Sequence, residues 1–168
     1  MIKEIQVVDA WTHESKMKMK FLLQPNTVWR IISLGLNPKV SKRLAQMGIL
    51  LGMEVTIVRV GPLGDPLELS VTQGQNIALR REEVESLDCE VIALPLTAAN
   101  PGAVTYRVRE LQGGIGFQRK MADHGLAVGV KLRVQKAYPY RLYLLPDGRF
   151  ATVGRGEAEK LLLEPLEE

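Results

Sequence analysis

From Met53 to Val60 the chain reads Met-Glu-Val-Thr-Ile-Val-Arg-Val, apolar and polar residues alternating with the period of a half-buried β-strand. The stretches around it follow the same logic. An apolar run at Val28–Leu34 predicts a preceding strand. Between the two, Val40, Leu44 and Met47 recur at i, i+4 and i+7, a helical spacing with Pro38 near its start and Gly48 as its stop. Strands are expected at Pro66–Val71 and Asn76–Leu79 about a turn at Gly74. A short helical turn over Arg81–Ser86 then leads to a closing strand at Leu87–Ala93.

The whole pattern occurs twice. At an offset of 77 residues, Arg30 meets Arg107, Leu34 meets Leu111, Leu44 meets Met121, Gly48 meets Gly125, Gly52 meets Gly129, Val55 meets Leu132 and Ile57 meets Val134. At an offset of 74, Arg81, Glu83 and Val84 meet Arg155, Glu157 and Ala158. The second copy is therefore three residues shorter, and the loss is placed around 61–66. Its own signals agree: Phe117, Met121 and His124 at helical spacing, strands at Val130–Val134, Tyr140–Leu145 and Phe150–Val153, and a Pro146-Asp147-Gly148 turn whose glycine tolerates positive φ. A helical turn at Gly156–Lys160 and a strand at Leu161–Glu164 close it.

Five short strands with one helix inserted after the first predict a small, bent, mostly β domain. Closing such a sheet on itself removes exposed edges and encloses a core within about 70 residues. The expected organisation is an N-terminal arm or added strand at 1–27, a first domain at 28–94, a linker at 95–102 marked by two prolines, Asn100 and Gly102, and a second domain at 103–168.

Composition narrows the function. No apolar run approaches the ~20 residues of a membrane helix, so no insertion is expected. The first ten residues lack the pattern of a signal peptide, and the single cysteine, Cys89, fits a reducing compartment; a cytoplasmic location is expected. Lys plus Arg against Asp plus Glu is 11 to 11 over residues 1–92 and 11 to 8 over 93–168. That balance and the few aromatics argue against a nucleic-acid partner. The Lys16, Lys18, Lys20 alternation is the only local run of positive charge and reads as a solvated edge or arm. No nucleophile–His–acid set and no phosphate-binding loop is present, and the glycine clusters at 113–116 and 154–156 do not follow a strand in a βαβ unit. An enzyme is not expected.

The candidate sites are few. Pro62-Leu63-Gly64-Asp65-Pro66 joins two strands: Gly64 permits positive φ, Asp65 can accept from nearby backbone N–H groups, and the prolines stiffen both ends. Two readings stand, a rigid tip presenting Leu63 to a partner or a structural turn with Leu63 folded under. Arg81 and Arg155 each precede a Glu by two residues, where the guanidinium can bond carbonyls or reach a partner. Asp123 and His124 offer an adjacent O,N pair for a metal, against the plainer reading of a half-buried histidine near a helix end; without a third ligand the pair is a weak site. His13 with Glu14 is weaker still. Cys89 alternates with Asp88 and Glu90 and is expected to face the core.

These residues together resemble the FeoA family. The resemblance is carried by Leu44-Ala-Gln-Met-Gly48, Gly52, Val55, Val58-Arg59, Pro62-Leu-Gly-Asp-Pro66 and Leu79-Arg-Arg-Glu-Glu-Val84. The second copy carries Lys120-Met121, Gly125 and Gly154-Arg-Gly-Glu-Ala-Glu-Lys160, with Ala137-Tyr-Pro-Tyr140 where the Pro-Leu-Gly-Asp-Pro run would stand. The resemblance implies two tandem SH3-like β-barrels. It also implies a cytosolic accessory role in ferrous iron uptake, by protein–protein contact with a FeoB-like GTPase transporter. No cofactor is then required, and a homo-oligomer is compatible with a duplicated surface. The alternative from another class is a metal-responsive regulatory domain binding Fe2+ or Mn2+ directly. Such a barrel also ends metal-dependent repressors, but 27 preceding residues are too few for their winged helix.

Overall fold

The computed structural model describes residues 24–71 and 74–167. Among these, the chain divides into two compact units, the first ending at Ile92 and the second beginning at Ala93. In unit one, β1 (Val28–Ser33), β2 (Glu54–Val60), β3 (Leu67–Ser70), β4 (Asn76–Leu79) and β5 (Asp88–Pro95) lie in the order β4-β3-β2-β1-β5. Helix α1 (Pro38–Gln46) is inserted after β1, and α2 (Arg81–Ser86) precedes β5. Unit two repeats this plan with β6 (Thr105–Leu111), α3 (Ile115–Asp123), β7 (Lys131–Lys136), β8 (Tyr140–Leu145), β9 (Phe150–Val153), α4 (Arg155–Ala158) and β10 (Leu161–Pro165), in the order β9-β8-β7-β6-β10. The mostly β fold and the inserted helix are as the periodicity predicts.

Repetition extends to single hydrogen bonds. Each inserted helix ends in a left-handed glycine, Gly48 at φ 93 and Gly125 at φ 79. In both, the next amide reaches back five residues (Ile49 to Leu44, 3.0 Å; Leu126 to Met121, 2.8 Å), and the glycine amide bonds Ala45 or Ala122. This is a Schellman cap, and the apolar contact that accompanies it is supplied by Leu44 with Ile49 and Met121 with Leu126, all fully buried. Gly52 and Gly129 then donate to Ile31 and Val108 of the neighbouring first strand, 2.8 Å in both units, fixing where the second strand begins. Trp29 and Tyr106, one offset apart, fill the two cores beside the inward faces of the sheets.

Strand register corrects where the second copy is shorter. Residues 60–67 lie between the paired Arg59 and Glu68, but only 137–140 lie between Lys136 and Arg141, so the β7–β8 loop is four residues shorter than β2–β3. The next hairpin returns one residue: 70–76 lie between Leu69 and Ile77, and 143–150 between Leu142 and Ala151. A bulge sits at the same place in both, between Ile57 and Arg59 and between Val134 and Lys136.

The segment expected as a linker is packed. β5 runs past the end of unit one, and its last residues, Leu94 and Pro95, belong to unit two, where they pair with Leu163 and Leu162 of β10. A 3-10 turn (Leu96–Ala98) follows, with Leu96, Ala98 and Ala99 buried. The prolines end the strand, but the apolar residues around them are worth more buried than exposed. The N-terminal arm or strand expected at 1–27 lies mostly outside the described residues. Its last part, 24–27, is a turn in which the Asn26 amide donates to Ile57 (2.8 Å) and the Ile57 amide to Thr27 (2.9 Å).

Candidate functional site

The Pro62–Pro66 loop is closed by its own main chain. Gly61 donates to Pro66 (2.9 Å), Gly64 to Gly61 (3.0 Å) and Asp65 to Pro62 (3.3 Å), so a 3-10 turn forms over Pro62–Gly64. No bond from the Asp65 carboxylate is needed for this, contrary to the expected role of that side chain. At Gly61 an added Cβ would lie 2.6 Å from the Asp65 carbonyl, which is how tightly the loop folds. Closure drives Leu63, as well as Gly64, into the left-handed region, at φ 59 and 82. A leucine there costs roughly 1 kcal/mol. It is also 77% exposed, so Leu63 is presented and not folded under. The Asp65–Pro66 bond is cis.

Unit two also places an exposed left-handed residue in the corresponding loop, on a shorter backbone. Tyr138 also stands at φ 59, is 67% exposed, and precedes a cis bond to Pro139. Without the Pro-Leu-Gly-Asp-Pro run the loop is shorter, and Tyr138 takes the register position of Asp65, which is extended at φ -140. What recurs is an exposed left-handed residue ahead of the strand and not the turn itself. Pro66 and Pro139 each immediately precede a strand, and that shared placement is the signal by which the match is legible. The Tyr138 ring rests on Tyr140, centroids 5.3 Å apart, and burial, with the Tyr138 hydroxyl adding to it, pushes the Tyr140 hydroxyl up to about 12.

Leu67 pairs with Leu79 and Tyr140 with Val153, so each tip lies at the end of the hairpin from which the short second helix departs. Arg81 and Arg155 stand there, but not as expected. Their guanidiniums bond carboxylates one turn on, Arg81 to Glu85 (3.0 Å) and Arg155 to Glu159 (3.7 Å), instead of backbone carbonyls. Both remain largely exposed. The Arg155 charge is felt by Tyr140, whose raised hydroxyl it partly lowers.

A repeated lock holds these helices, and sequence reasoning found only half of it. Glu83 accepts from the Arg80 amide (2.9 Å) and from Arg43 Nε (3.0 Å) on α1. Glu157 accepts from the Gly154 amide (3.0 Å) and from Lys120 Nζ on α3. Each glutamate thus caps its own helix and ties it to the inserted one. The Lys120 ammonium, then the Gly154 amide, hold the Glu157 carboxyl below its ordinary 4.5. The signal was available: Arg43 and Lys120 match at the offset of 77, and Glu83 and Glu157 at the offset of 74.

Asp123 and His124 are not brought to a third ligand. His124 caps α3 where Met47 caps α1, and its side chain is exposed and not half-buried. Among the described residues no group of three or more His, Cys, Asp or Glu side chains is placed to hold a metal ion. Cys89 is buried on β5. His13, Glu14 and the Lys16–Lys20 run lie outside the described residues. No helix among them is long and apolar enough to cross a membrane.

The FeoA domain model matches residues 22–91 and again 94–165. Among solved structures, iron(II) transport protein A from Clostridium thermocellum is 34% identical, over 87% of this chain and 86% of that one, with a TM-score of 0.46. An FeoA-like protein from Clostridium acetobutylicum is 29% identical over 40% of this chain and 78% of its own, TM-score 0.38. The zinc complex of Stenotrophomonas maltophilia FeoA, named an SH3 domain protein and a candidate ferrous iron transport activating factor, is 29% identical over 40% and 84%, TM-score 0.35. The chain belongs to the FeoA domain family, and carries its SH3-like, mostly β domain twice in tandem.

Proposed function

We propose that this chain is a cytosolic accessory protein of ferrous iron uptake that acts by docking on the cytosolic part of a FeoB-like GTPase transporter. Family membership supports a place in ferrous iron transport. The observation that carries the docking mode is the pair of exposed, left-handed tips. A non-glycine residue kept at positive φ in both units, with an apolar side chain facing solvent, is strain held for use. The Leu63 tip, closed by three main-chain bonds, loses little entropy when it engages. Arg81 and Arg155, at the same hairpin ends, supply charge at the rim of each contact. Two tips on one chain raise the effective concentration of the second contact once the first is made.

The test is calorimetric titration of the purified chain against the transporter's cytosolic GTPase-containing part. Leu63→Gly relieves the left-handed strain, so the fold holds or gains slightly while docking weakens about tenfold. Parallel titration with Fe(II) and Mn(II) addresses direct metal sensing: micromolar metal binding with no binding of the transporter part replaces the docking reading with the regulatory one.

A further inference from the structure

On the outward face of the sheet, two cross-strand ion pairs of unit one become like-charge pairs in unit two. Arg30 stands opposite Glu54 and Arg59 opposite Glu68, bonded at 3.5 and 3.4 Å. The same register positions of unit two hold Arg107 opposite Lys131 and Lys136 opposite Arg141. Like charges directly opposed in an antiparallel pair destabilise it. Glu164 answers Arg107 at 2.9 Å, but among the described residues no carboxylate pairs with Lys131, Lys136 or Arg141. All three are exposed.

The exchange includes shape. Ser70 and Asn76 are opposed in unit one, whereas Tyr143 and Phe150 are opposed in unit two, their rings 5.3 Å apart. The Arg141 guanidinium lies 4.2 Å from the Phe150 centroid, and Phe150 is 47% exposed. A cation packed by its face on a ring keeps its N–H edge for a carboxylate.

We propose that this face of unit two, built by Lys131, Lys136, Arg141, Tyr143 and Phe150, docks an acidic, leucine-bearing peptide segment of a protein partner. Charge complementarity selects the partner: its carboxylates take the place that Glu54 and Glu68 hold in unit one, and a leucine lies along the exposed edge of Phe150 that Arg141 leaves open. A nucleic-acid strand is the poorer fit. Base stacking needs an open ring face, and Phe150 has Arg141 over its face and Tyr143 tilted at 58° against it. The inference is separate from the docking of the tips, because it uses neither Leu63 nor Tyr138.

The probe is a fluorescein-labelled dodecapeptide of four Glu-Glu-Leu repeats, titrated with the full chain and read by anisotropy. Saturable binding is expected, weakening markedly between about 50 and 300 mM NaCl. Arg141→Glu rebuilds the ion pair of unit one, and Lys136→Glu makes the same cross-strand pair with the charges exchanged. Each should therefore raise the melting temperature, by about 2 °C, while weakening the peptide about tenfold. A melting temperature that does not fall shows that the lost affinity is not lost folding. The inference is overturned if the peptide does not bind, if both variants bind it as the parent does, or if labelled dodecathymidylate binds more tightly than the peptide and depends on Arg141.

Discussion

Units one and two share a scaffold so closely that their differences can be read position by position. The Schellman glycines, the strand bulge, the glutamate lock between helices and an exposed left-handed residue in the loop after the bulged strand recur in both. What recurs is mostly main chain and the side chains that satisfy it. What differs is mostly outward: Leu63 against Tyr138 at the tip, Glu68 against Arg141 on the sheet, Asn76 against Phe150 at its edge. Duplication has kept the terms that specify the fold and released those a partner would touch. That division is a physical claim, and exchanging residues between the units tests it.

The largest expected effect comes from one inward exception. Gly35 stands at φ +88, and a Cβ there would lie 2.4 Å from the Ser86 carbonyl oxygen. Its equivalent in unit two is Gln112, whose amide donates to Lys160, the equivalent of Ser86, at 2.8 Å. The two units therefore make this connection with different backbones. Placing unit two's residue in unit one, Gly35→Gln, should cost about 3 kcal/mol through steric overlap and left-handed strain together. The reverse, Gln112→Gly, should cost no more than about 1 kcal/mol. Urea unfolding read by Trp29, buried in unit one, in a Trp11→Phe background measures the first; far-UV dichroism covers the second. Near-equal small losses would mean that the units tolerate each other's connection and the exception is incidental.

How much of this is legible in the sequence depends on what each feature rests on. Alternation at Met53–Val60 and the stripe of Leu44 and Met121 report burial, which side-chain chemistry encodes locally, so strands and inserted helices are readable. The glycine pair at 48 and 52 repeats at 125 and 129 because left-handed caps demand it, so the duplication is readable too. Register is not: the four-residue shortening of β7–β8 and the extra residue after it cancel to three in the sequence. That hides the match between Pro66 and Pro139, and with it the second tip. The charge exchange is hidden for the same reason, since Arg59 faces Glu68 only once the bulge is known. The packing of 95–99 is not readable either, because proline marks a strand end without saying whether the residues beyond it are buried.

The glutamate lock gives the next comparison, of intermediate size. The Glu83 side chain is 6% exposed and that of Glu157 22%, with Arg43 and Lys120 more open to solvent than either. Solvent weakens both ion pairs, so most of the cost of truncation is the uncapped amide and, for unit one, its burial. Glu83→Ala should lose about 2 kcal/mol and Glu157→Ala about 1 kcal/mol, measured by the same denaturation probes. Acid sharpens this. The Glu157 carboxyl is depressed, so its contribution is complete above the ordinary 4.5 and fades as pH falls through the folded value. Glu157→Ala should then flatten the acid limb of unit two's stability. An unchanged limb would show that the lock is geometric without being electrostatic.

The smallest effect lies at the alkaline end and distinguishes the units by one residue. Tyr140 occupies the position that Leu67 holds in unit one, both fully buried at the base of a tip. Burial, the largest cause, and the adjacent Tyr138 raise its hydroxyl from 10.0 to about 12, with Arg155 opposing. A raised value means that the folded form holds its proton more tightly than the unfolded chain does. The contribution is therefore intact below pH 10 and is lost as pH rises towards 12. Unit two should give up about 1 kcal/mol near pH 11 through this group. Tyr140→Phe should remove that loss, at the expense of whatever its hydroxyl gains from Tyr138. Following tyrosinate absorbance alongside far-UV dichroism separates ionisation from unfolding. If Tyr140→Phe leaves the alkaline limb as steep as before, lysine deprotonation governs it instead. The lost pair would then be Lys120 with Glu157 of unit two, and the two tips would be equivalent at their base.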